Sequence, residues 1–519
     1  MIIKETNIFM PQPAPLLHQS VPPWKPILLG YKLNKRQVLE VPPELTNQHA
    51  HIIGQSGVGK SMLLQHLFLS HLERGHGVTL IDPAGMASEQ ILSRLAQHGY
   101  FNSPQAYEHL IYVEFKEGDW YFPFNILKLS GVSEADRMHL VIEAMKRAFP
   151  ELDTETGAAQ FTVATSHALD ICLQMDWSIV AIEAILSNRQ VWKKLSSVVT
   201  GDPLHVFFQR WWQVNASTQY AHDSAYRRAH QLNAHPITRN TLGQYHNKLD
   251  FKQIMDSQTC VLVNLRGVHV DEYRSYIGAL ILHGFEQAAF RRDPHDHFNH
   301  YLLVDEFPTI AGNGKTLSGI LDRCRQYGLF ITMAHQHLPT DKPDLIRALA
   351  GADLKICFRV NYHDANTMAH LIGYIDPNLK EGKINWGQVA GGLMGVGGDI
   401  DDFPITMIGS MMRGASAYQQ TPVAMAAQFQ EWVNNLMNAP KRGFYAKLGI
   451  AKAESWITPD LPDATGKIEA VVDNYHRLYY TRTEDIHLPY PYGRLDEWEG
   501  RPTPRPQEPP LDSGFGQME

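Results

Sequence analysis

An apolar run, His51-Ile52-Ile53, breaks into Gly54-Gln55-Ser56-Gly57-Val58-Gly59-Lys60-Ser61, and no other stretch of the 519-residue chain restricts its fold as strongly. The eight residues match G-x-x-x-x-G-K-[ST] at every specified position. That pattern needs a strand before it and a helix after it. Its glycines free backbone N–H groups to face an anion, and the helix turns its positive end to the same point. The flank complies, since Leu63, Leu64, Leu67, Phe68 and Leu72 are spaced to form one apolar helix face. In such a loop Lys60 reaches the β- and γ-phosphates of a nucleotide and Ser61 offers its hydroxyl to Mg²⁺. The expected cofactors are therefore ATP and Mg²⁺, with Gly54, Gln55, Ser56, Gly57, Val58, Gly59, Lys60 and Ser61 as the binding residues.

A second segment supplies acids. Tyr301-Leu302-Leu303-Val304 runs directly into Asp305-Glu306. A buried strand with that ending delivers two carboxylates to the C-terminal edge of a parallel sheet, beside the phosphate loop. Asp305 would then hold Mg²⁺, mostly through water, and Glu306 would polarise the water that attacks the γ-phosphate. Read alone, the same string also fits an acidic helix start. Two further polar residues lie at suitable distances. Gln336 follows the strand-like run Leu329–Ala334 and can present its amide to water and phosphate. Arg325 precedes that run on a helix, where it either inserts into a neighbouring subunit's site or is an ordinary surface arginine. Such an inserted guanidinium is typically worth ~10³–10⁵ in turnover.

Strand-like and helix-like runs alternate around these motifs, which predicts an α/β fold with a parallel sheet covered on both faces. The strand candidates are Gly77–Asp82, Leu110–Phe115, Thr259–Leu265, Tyr301–Val304, Leu329–Ala334 and Leu354–Val360, with Ile27–Gly30 and Arg36–Val41 as a leading hairpin. The length allows two to four domains, or one large core with insertions. The boundaries we expect are an N-terminal arm (1–25), the first part of the core (26–129) and an all-helical insertion (130–247). Then follow the second part of the core (248–419), a helix-like segment with Trp and Leu anchors (420–480) and a Pro-rich, irregular tail (481–519). Arg227, Arg228, Arg239, Lys248 and Lys252 gather at the far end of the insertion, either as a phosphate-backbone contact or as a solvated helix face. Gly391–Gly398 reads as a loop or hairpin, and Trp211, Trp212 and Tyr220 as helix core rather than a base-stacking platform.

Composition narrows the function classes. A net charge of −8 excludes a generally basic nucleic-acid coat, though not a local basic channel. Cys172, Cys260, Cys324 and Cys357 form no C-x-x-C pair, so buried thiols in a reducing compartment fit better than zinc. His295, His297 and His300 surround ligand-type residues, but their spacing matches no zinc pattern. No run of 18 apolar residues occurs and the N-terminus lacks a secretory layout. The expectation is a cytoplasmic chain with no intrinsic membrane span.

The motif order resembles the FtsK/HerA superfamily of P-loop motors, and within it the soluble ATPase part of type IV secretion (conjugative DNA transfer) coupling proteins. The matching pieces begin with Ile27-Leu28-Leu29-Gly30, the phosphate loop, Gly75–Pro83 and Phe124-Asn125-Ile126-Leu127. They continue with Asp250-Phe251, Val261–Leu265, Val304–Phe307, Arg325–Leu329, Ala334-His335-Gln336 and Phe358-Arg359-Val360. The resemblance implies a RecA-like core in a hexameric ring, ATP at subunit interfaces and DNA in the pore. It makes Arg325 a trans-acting finger and Gln336 a sensor. The pattern departs at Ala84-Gly85, which weakens any catalytic role for Asp82, and at Pro308. Alternatives stay open: a secretion ATPase whose cargo is protein, or a nucleotide-gated scaffold for a nuclease or other defence partner.

Overall fold

The computed structural model describes residues 2–5, 25–32, 37–41, 47–149, 155–187, 216–311, 323–376, 378–384, 418–422 and 424–488, with a few single positions between them. Residues 489–519 of the Pro-rich tail, most of the N-terminal arm, Gly391–Gly398, Trp211 and Trp212 lie outside the described residues, as does the side chain of Tyr220.

The strands are β1 (Ile2–Glu5), β2 (Ile27–Tyr31), β3 (Gln37–Val41), β4 (Ala50–Ile53), β5 (Gly77–Asp82), β6 (Leu110–Glu114), β7 (Trp120–Tyr121), β8 (Cys260–Asn264), β9 (His300–Val304), β10 (Leu329–His335), β11 (Leu354–Cys357), β12 (Lys380–Ile384), β13 (Tyr418–Pro422), β14 (Gly443–Leu448), β15 (Glu454–Ile457) and β16 (Thr481–Arg482). Twelve of them form one sheet in the order β1-β3-β2-β15-β14-β11-β4-β10-β9-β5-β8-β6. From β11 to β6 every pairing is parallel. β4, β5, β8 and β9 are buried at every position, which explains why they read as nearly continuous apolar runs rather than alternating ones.

Helices cover this parallel run. Lys60–Glu73 follows β4, Met86–Gln97 follows β5, and Asp271–Ala289 links β8 to β9. Between β6 and β8, the described elements beyond the short β7 are helical: Glu134–Ala148, Glu155–Gln174, Ala181–Ser187, Ala216–Ala234, Pro236–Leu242 and Phe251–Asp256, with a 3₁₀ turn at Ile126–Lys128. Ser133 caps the first of these helices by accepting from the Asp136 N–H, and Asp250 caps the last by accepting from the Gln253 N–H. The group is joined to the core where Glu134–Ala148 packs on Asp271–Ala289. Phe251–Asp256 packs on the same helix, and there Gly284 is required: a Cβ at that position would meet the Phe251 ring at 2.1 Å. Among the described residues, no helix is long and apolar enough to cross a membrane.

The C-terminal part departs from the helical reading of 420–480. Met425–Met437 and Glu469–Tyr479 are helices, but β14 and β15 between them are strands of the central sheet. β14 pairs antiparallel with β11, and β15 meets β2 at Ile457 and Tyr31. The sheet is therefore mixed, with antiparallel strands added beyond β11. The tertiary partner decides this, because Phe444 and Trp456 become buried core residues only once β11 and β2 present an unpaired edge. The chain then returns across the molecule. Arg94 Nε donates to Pro462 O at 2.6 Å and Ser93 Oγ to Gly466 O at 2.8 Å. Tyr475 and Tyr480 finally anchor the segment on β6, with Tyr480 OH donating to Tyr112 O at 3.1 Å and Tyr475 OH to Leu110 O.

Trp456 is 1% exposed and carries the Lys32 ammonium 4.0 Å above its ring, so it pins the N-terminal hairpin to the C-terminal strands. Trp456→Ala is expected to cost about 3–5 kcal/mol in urea unfolding. A loss below about 1 kcal/mol would mean that β14 and β15 are dispensable decoration.

Candidate functional site at the edge of the parallel sheet

All strands of a parallel sheet end at one edge, and β4, β10 and β9 are adjacent. The segments after them are therefore neighbours in space whatever their separation in sequence. The loop after β4 holds Gly57 at φ +75° and Gly59 at φ +122°, backbone conformations that side chains rarely adopt. A Cβ on Gly57 would meet nothing within 4 Å, so the loop opens outward at that point. Behind it, a Cβ on Gly54 would meet Phe358 at 2.5 Å. The loop is held from the main chain: Gly54 N–H donates to His335 O at 3.3 Å, Gln55 N–H to Arg359 O at 2.9 Å, and Arg442 N–H to Val58 O at 2.7 Å.

Lys60 opens the helix and folds its ammonium back over the loop, donating to Gly54 O at 2.6 Å and Gln55 O at 3.1 Å. Burial pushes its pKa down, while Asp305 and Glu306 oppose that. Asp305 and Glu306 emerge from β9. Burial raises the Asp305 carboxyl to about 6, with the neighbouring charges of Glu306 and Asp82 adding to the rise and Lys60 opposing it. Ser61 Oγ donates to Asp305 Oδ2 at 3.4 Å. Two oxygens on adjacent corners of an octahedral Mg²⁺ site are about 3 Å apart. The Ser61–Asp305 pair is close to that separation, and a cation of this class fits the donor set. Glu306 takes φ +46°, a strained conformation for a carboxylate residue, and its Oε1 accepts from Gln336 Nε2 at 2.6 Å.

The geometry thus gathers the expected residues Lys60, Ser61, Asp305, Glu306 and Gln336 at one point. Arg325 lies elsewhere. It sits in a 3₁₀ turn before β10, half exposed, 3.4 Å from Asp353 Oδ2. β10 separates it from Gln336 by seven residues, about 20 Å of strand. Arg325 therefore cannot serve the site of its own chain. Asp82 is structural: its carboxylate accepts from the backbone N–H groups of Ala84 (3.1 Å), Gly85 (2.9 Å) and Ser88 (2.8 Å), holding the start of Met86–Gln97.

The basic residues near the end of the insertion are distributed over separate helices. Arg227 Nε donates to Asp223 O, Arg228 Nη1 to Ser224 O, and Lys252 pairs with Asp256 at 2.5 Å. They do not form one helix face. His300 is buried between Thr79 and Phe285, and among the described residues no group of three or more His, Cys, Asp or Glu could hold a metal ion. The four cysteines are buried and free.

Two pairs of residues have roles that escape sequence reasoning. Arg442 and Arg359 act through main-chain atoms, which no residue type announces. His51 and His335 flank the two motifs on adjacent strands and form a buried pair, Nε2 to Nε2 2.7 Å. Histidines on strands that are otherwise wholly apolar were the available signal.

No family model matches the chain, and no curated protein matches it by sequence. Solved structures do. The unbound form of the bacterial conjugative coupling protein TrwBdeltaN70 matches with a TM-score of 0.52 at 12% identity, covering 86% of this chain and 92% of that one. The plasmid coupling protein TrwB in complex with ADP and Mg²⁺ matches with 0.50 at 11%, covering 85% and 91%. VirB4 of Thermoanaerobacter pseudethanolicus matches with 0.50 at 13%, covering 84% and 96%. Identities this low speak for the fold alone: the chain has the RecA-like α/β fold of these structures.

Proposed function

We propose that this chain is a Mg²⁺-dependent ATPase that works as a hexameric ring of identical subunits and moves DNA through its pore. One observation carries the reading: the phosphate-loop residues Lys60 and Ser61, the acids Asp305 and Glu306, and the amide of Gln336 converge on one sheet edge, although 276 positions separate the first from the last. A structural neighbour, a plasmid coupling protein, is described with ADP and Mg²⁺ bound, and another form as a conjugative coupling protein. Both descriptions support the proposal.

In this mechanism the nucleotide's phosphates displace Gly54 O and Gln55 O as partners of the Lys60 ammonium. Ser61 and Asp305 would hold Mg²⁺, which when bound would supply positive charge to offset that of the phosphates. The γ-phosphate competes for the Gln336 amide and so releases Glu306, whose carboxylate orients the attacking water and takes up its proton. Arg325, remote from its own chain's site, completes the site of the adjacent subunit. A second reading, transport of protein, is favoured by one observation: Arg227, Arg228 and Lys252 each hydrogen-bond within their own helix, and the helices are separate, rather than presenting a common basic face.

Measuring ATP turnover against oligomer mass, with and without DNA, tests the reading. DNA-stimulated turnover with steep salt dependence supports a DNA motor; turnover indifferent to DNA supports the protein-cargo reading. Lys60→Ala is expected to abolish turnover, and Glu306→Gln to retain nucleotide binding while losing about 10²-fold or more in kcat. Arg325→Ala is expected to lose about 10³-fold. Mixing it with Lys60→Ala should restore part of the activity, because mixed interfaces then pair an intact loop with an intact finger. No restoration would sink the trans assignment.

Asp305 gives a pH test. Its folded-state pKa is raised, so its contribution to stability is complete below the ordinary carboxylate range and is lost as pH rises through about 6. In Mg²⁺-free buffer it should lower stability by up to about 3 kcal/mol between pH 4 and pH 7. Asp305→Asn should remove that slope and melt higher at pH 7. Equal slopes in both proteins would contradict the assignment.

A further inference from the structure

His51 and His335 lie side by side on the same face of adjacent parallel strands, since Met333 pairs with His51 and His335 with Ile53. Both rings are at most 1% exposed and stack 4.9 Å apart at 6°. Their hydrogen bonds determine where the protons are. His335 Nδ1 lies 2.8 Å from His337 O, and a carbonyl only accepts, so His335 carries its proton on Nδ1. Burial keeps the pair neutral: it lowers His335 to about 4 and His51 well below the ordinary imidazole range, with each ring's neighbours adding smaller effects. A neutral His335 therefore offers only a lone pair at Nε2. The 2.7 Å contact between the two Nε2 atoms must then be filled by a proton on His51. That leaves His51 Nδ1 as a bare, buried acceptor with no hydrogen-bond partner. A phenylalanine or leucine would fill the space without this orphan, so the imidazole carries a local cost that an apolar ring would avoid.

The arrangement reaches the hydrolytic groups in one step. The His335 ring bonds to the carbonyl two residues on, closing a turn whose apex is Gln336. The far side of that turn is fixed by the buried Asp364, which accepts the Leu338 N–H at 3.2 Å. From the apex, the Gln336 amide donates to Glu306 at 2.6 Å. His335 O also accepts the Gly54 N–H, so the same residue touches the phosphate loop.

We propose that His51 and His335 are positioning residues for the hydrolytic centre: His51 sets the tautomer of His335, and His335 in that tautomer holds the turn that aims Gln336 at Glu306. This inference rests on the ATPase reading above. Neither ring touches nucleotide. They act by fixing where the sensor amide stands, in the way that a hydrogen bond to one imidazole nitrogen decides what the other can do.

The test uses the full chain and Mg-ATP, with His51→Phe, His335→Phe, the double variant, and His51→Gln. Glutamine can place an amide N–H where His51 Nε2 stands and should preserve the relay. His51→Phe and His335→Phe are each expected to lower kcat about tenfold or more while KM stays within about threefold, and the double variant should be no worse than either single one. His51→Gln should keep at least about a third of wild-type kcat. In ¹⁵N spectra of the wild-type imidazoles, with His335 assigned by its loss in His335→Phe, His335 should appear as the Nδ1–H tautomer. Wild-type kcat in His51→Phe, no rescue by His51→Gln, or an Nε2–H tautomer at His335 would each overturn the relay. Its failure is distinct from that of the ATPase reading, because a wild-type protein without turnover would overturn both, whereas turnover indifferent to His51 overturns this one alone. The tautomer readout stands even if His51→Phe does not fold.

Discussion

Parallel register is the constraint on which everything else depends. In a parallel sheet every strand delivers its following loop to the same edge, and here β10 lies between β4 and β9, with Thr332 opposite both Ala50 and Leu303. That single arrangement sets Ser61 within 3.4 Å of Asp305 and lets Gln336 reach Glu306. An antiparallel β9 would send its acids to the opposite edge, some 15–20 Å away by strand length alone. The same rule works in reverse for Arg325, which precedes β10 and is therefore consigned to the far edge.

Concentrating charge at a buried edge carries an electrostatic cost that shapes the site. Asp305 is 6% exposed and is disfavoured as an anion by its surroundings, Lys60 is disfavoured as a cation, and each partly relieves the other. Asp82, on the adjacent β5, solves the same problem differently by accepting three backbone N–H groups. Polar side chains that remain lightly satisfied, as Asp305 does, keep lone pairs open to a further partner. Those fully satisfied, as Asp82 is, serve the fold.

The C-terminal residues bind the two halves of the chain together. β14 extends the sheet beyond β11, the Arg442 N–H just before it supports the phosphate loop at Val58, and the segment after β15 crosses to the helix Met86–Gln97 before docking on β6. Arg442 holds φ +67° at the start of β14, where its guanidinium bonds Thr458 O at 2.8 Å and Asp460 at 2.5 Å. The phosphate loop is thus braced by a part of the chain almost four hundred residues distant in sequence.

What could be read from the sequence was whatever local chemistry dictates. Glycines at 57 and 59 before Lys60-Ser61 point to a phosphate loop, the largely apolar runs at β5, β8 and β9 point to a doubly covered sheet, and the apolar run into Asp305-Glu306 fits an acidic strand end. Strand identity failed for Gly443–Leu448 and Glu454–Ile457, because their alternation is weak and an edge on β11 and β2 decides them. Gln336 was visible as a residue type in a suitable place, but its bond to Glu306 was not. The tautomers of His51 and His335 were invisible, because they follow from distances between atoms on different strands. The sequence by itself determined the elements and the chemical repertoire; only the tertiary structure decided which groups meet, since strand order and register are set by long-range packing that no short window of residues contains.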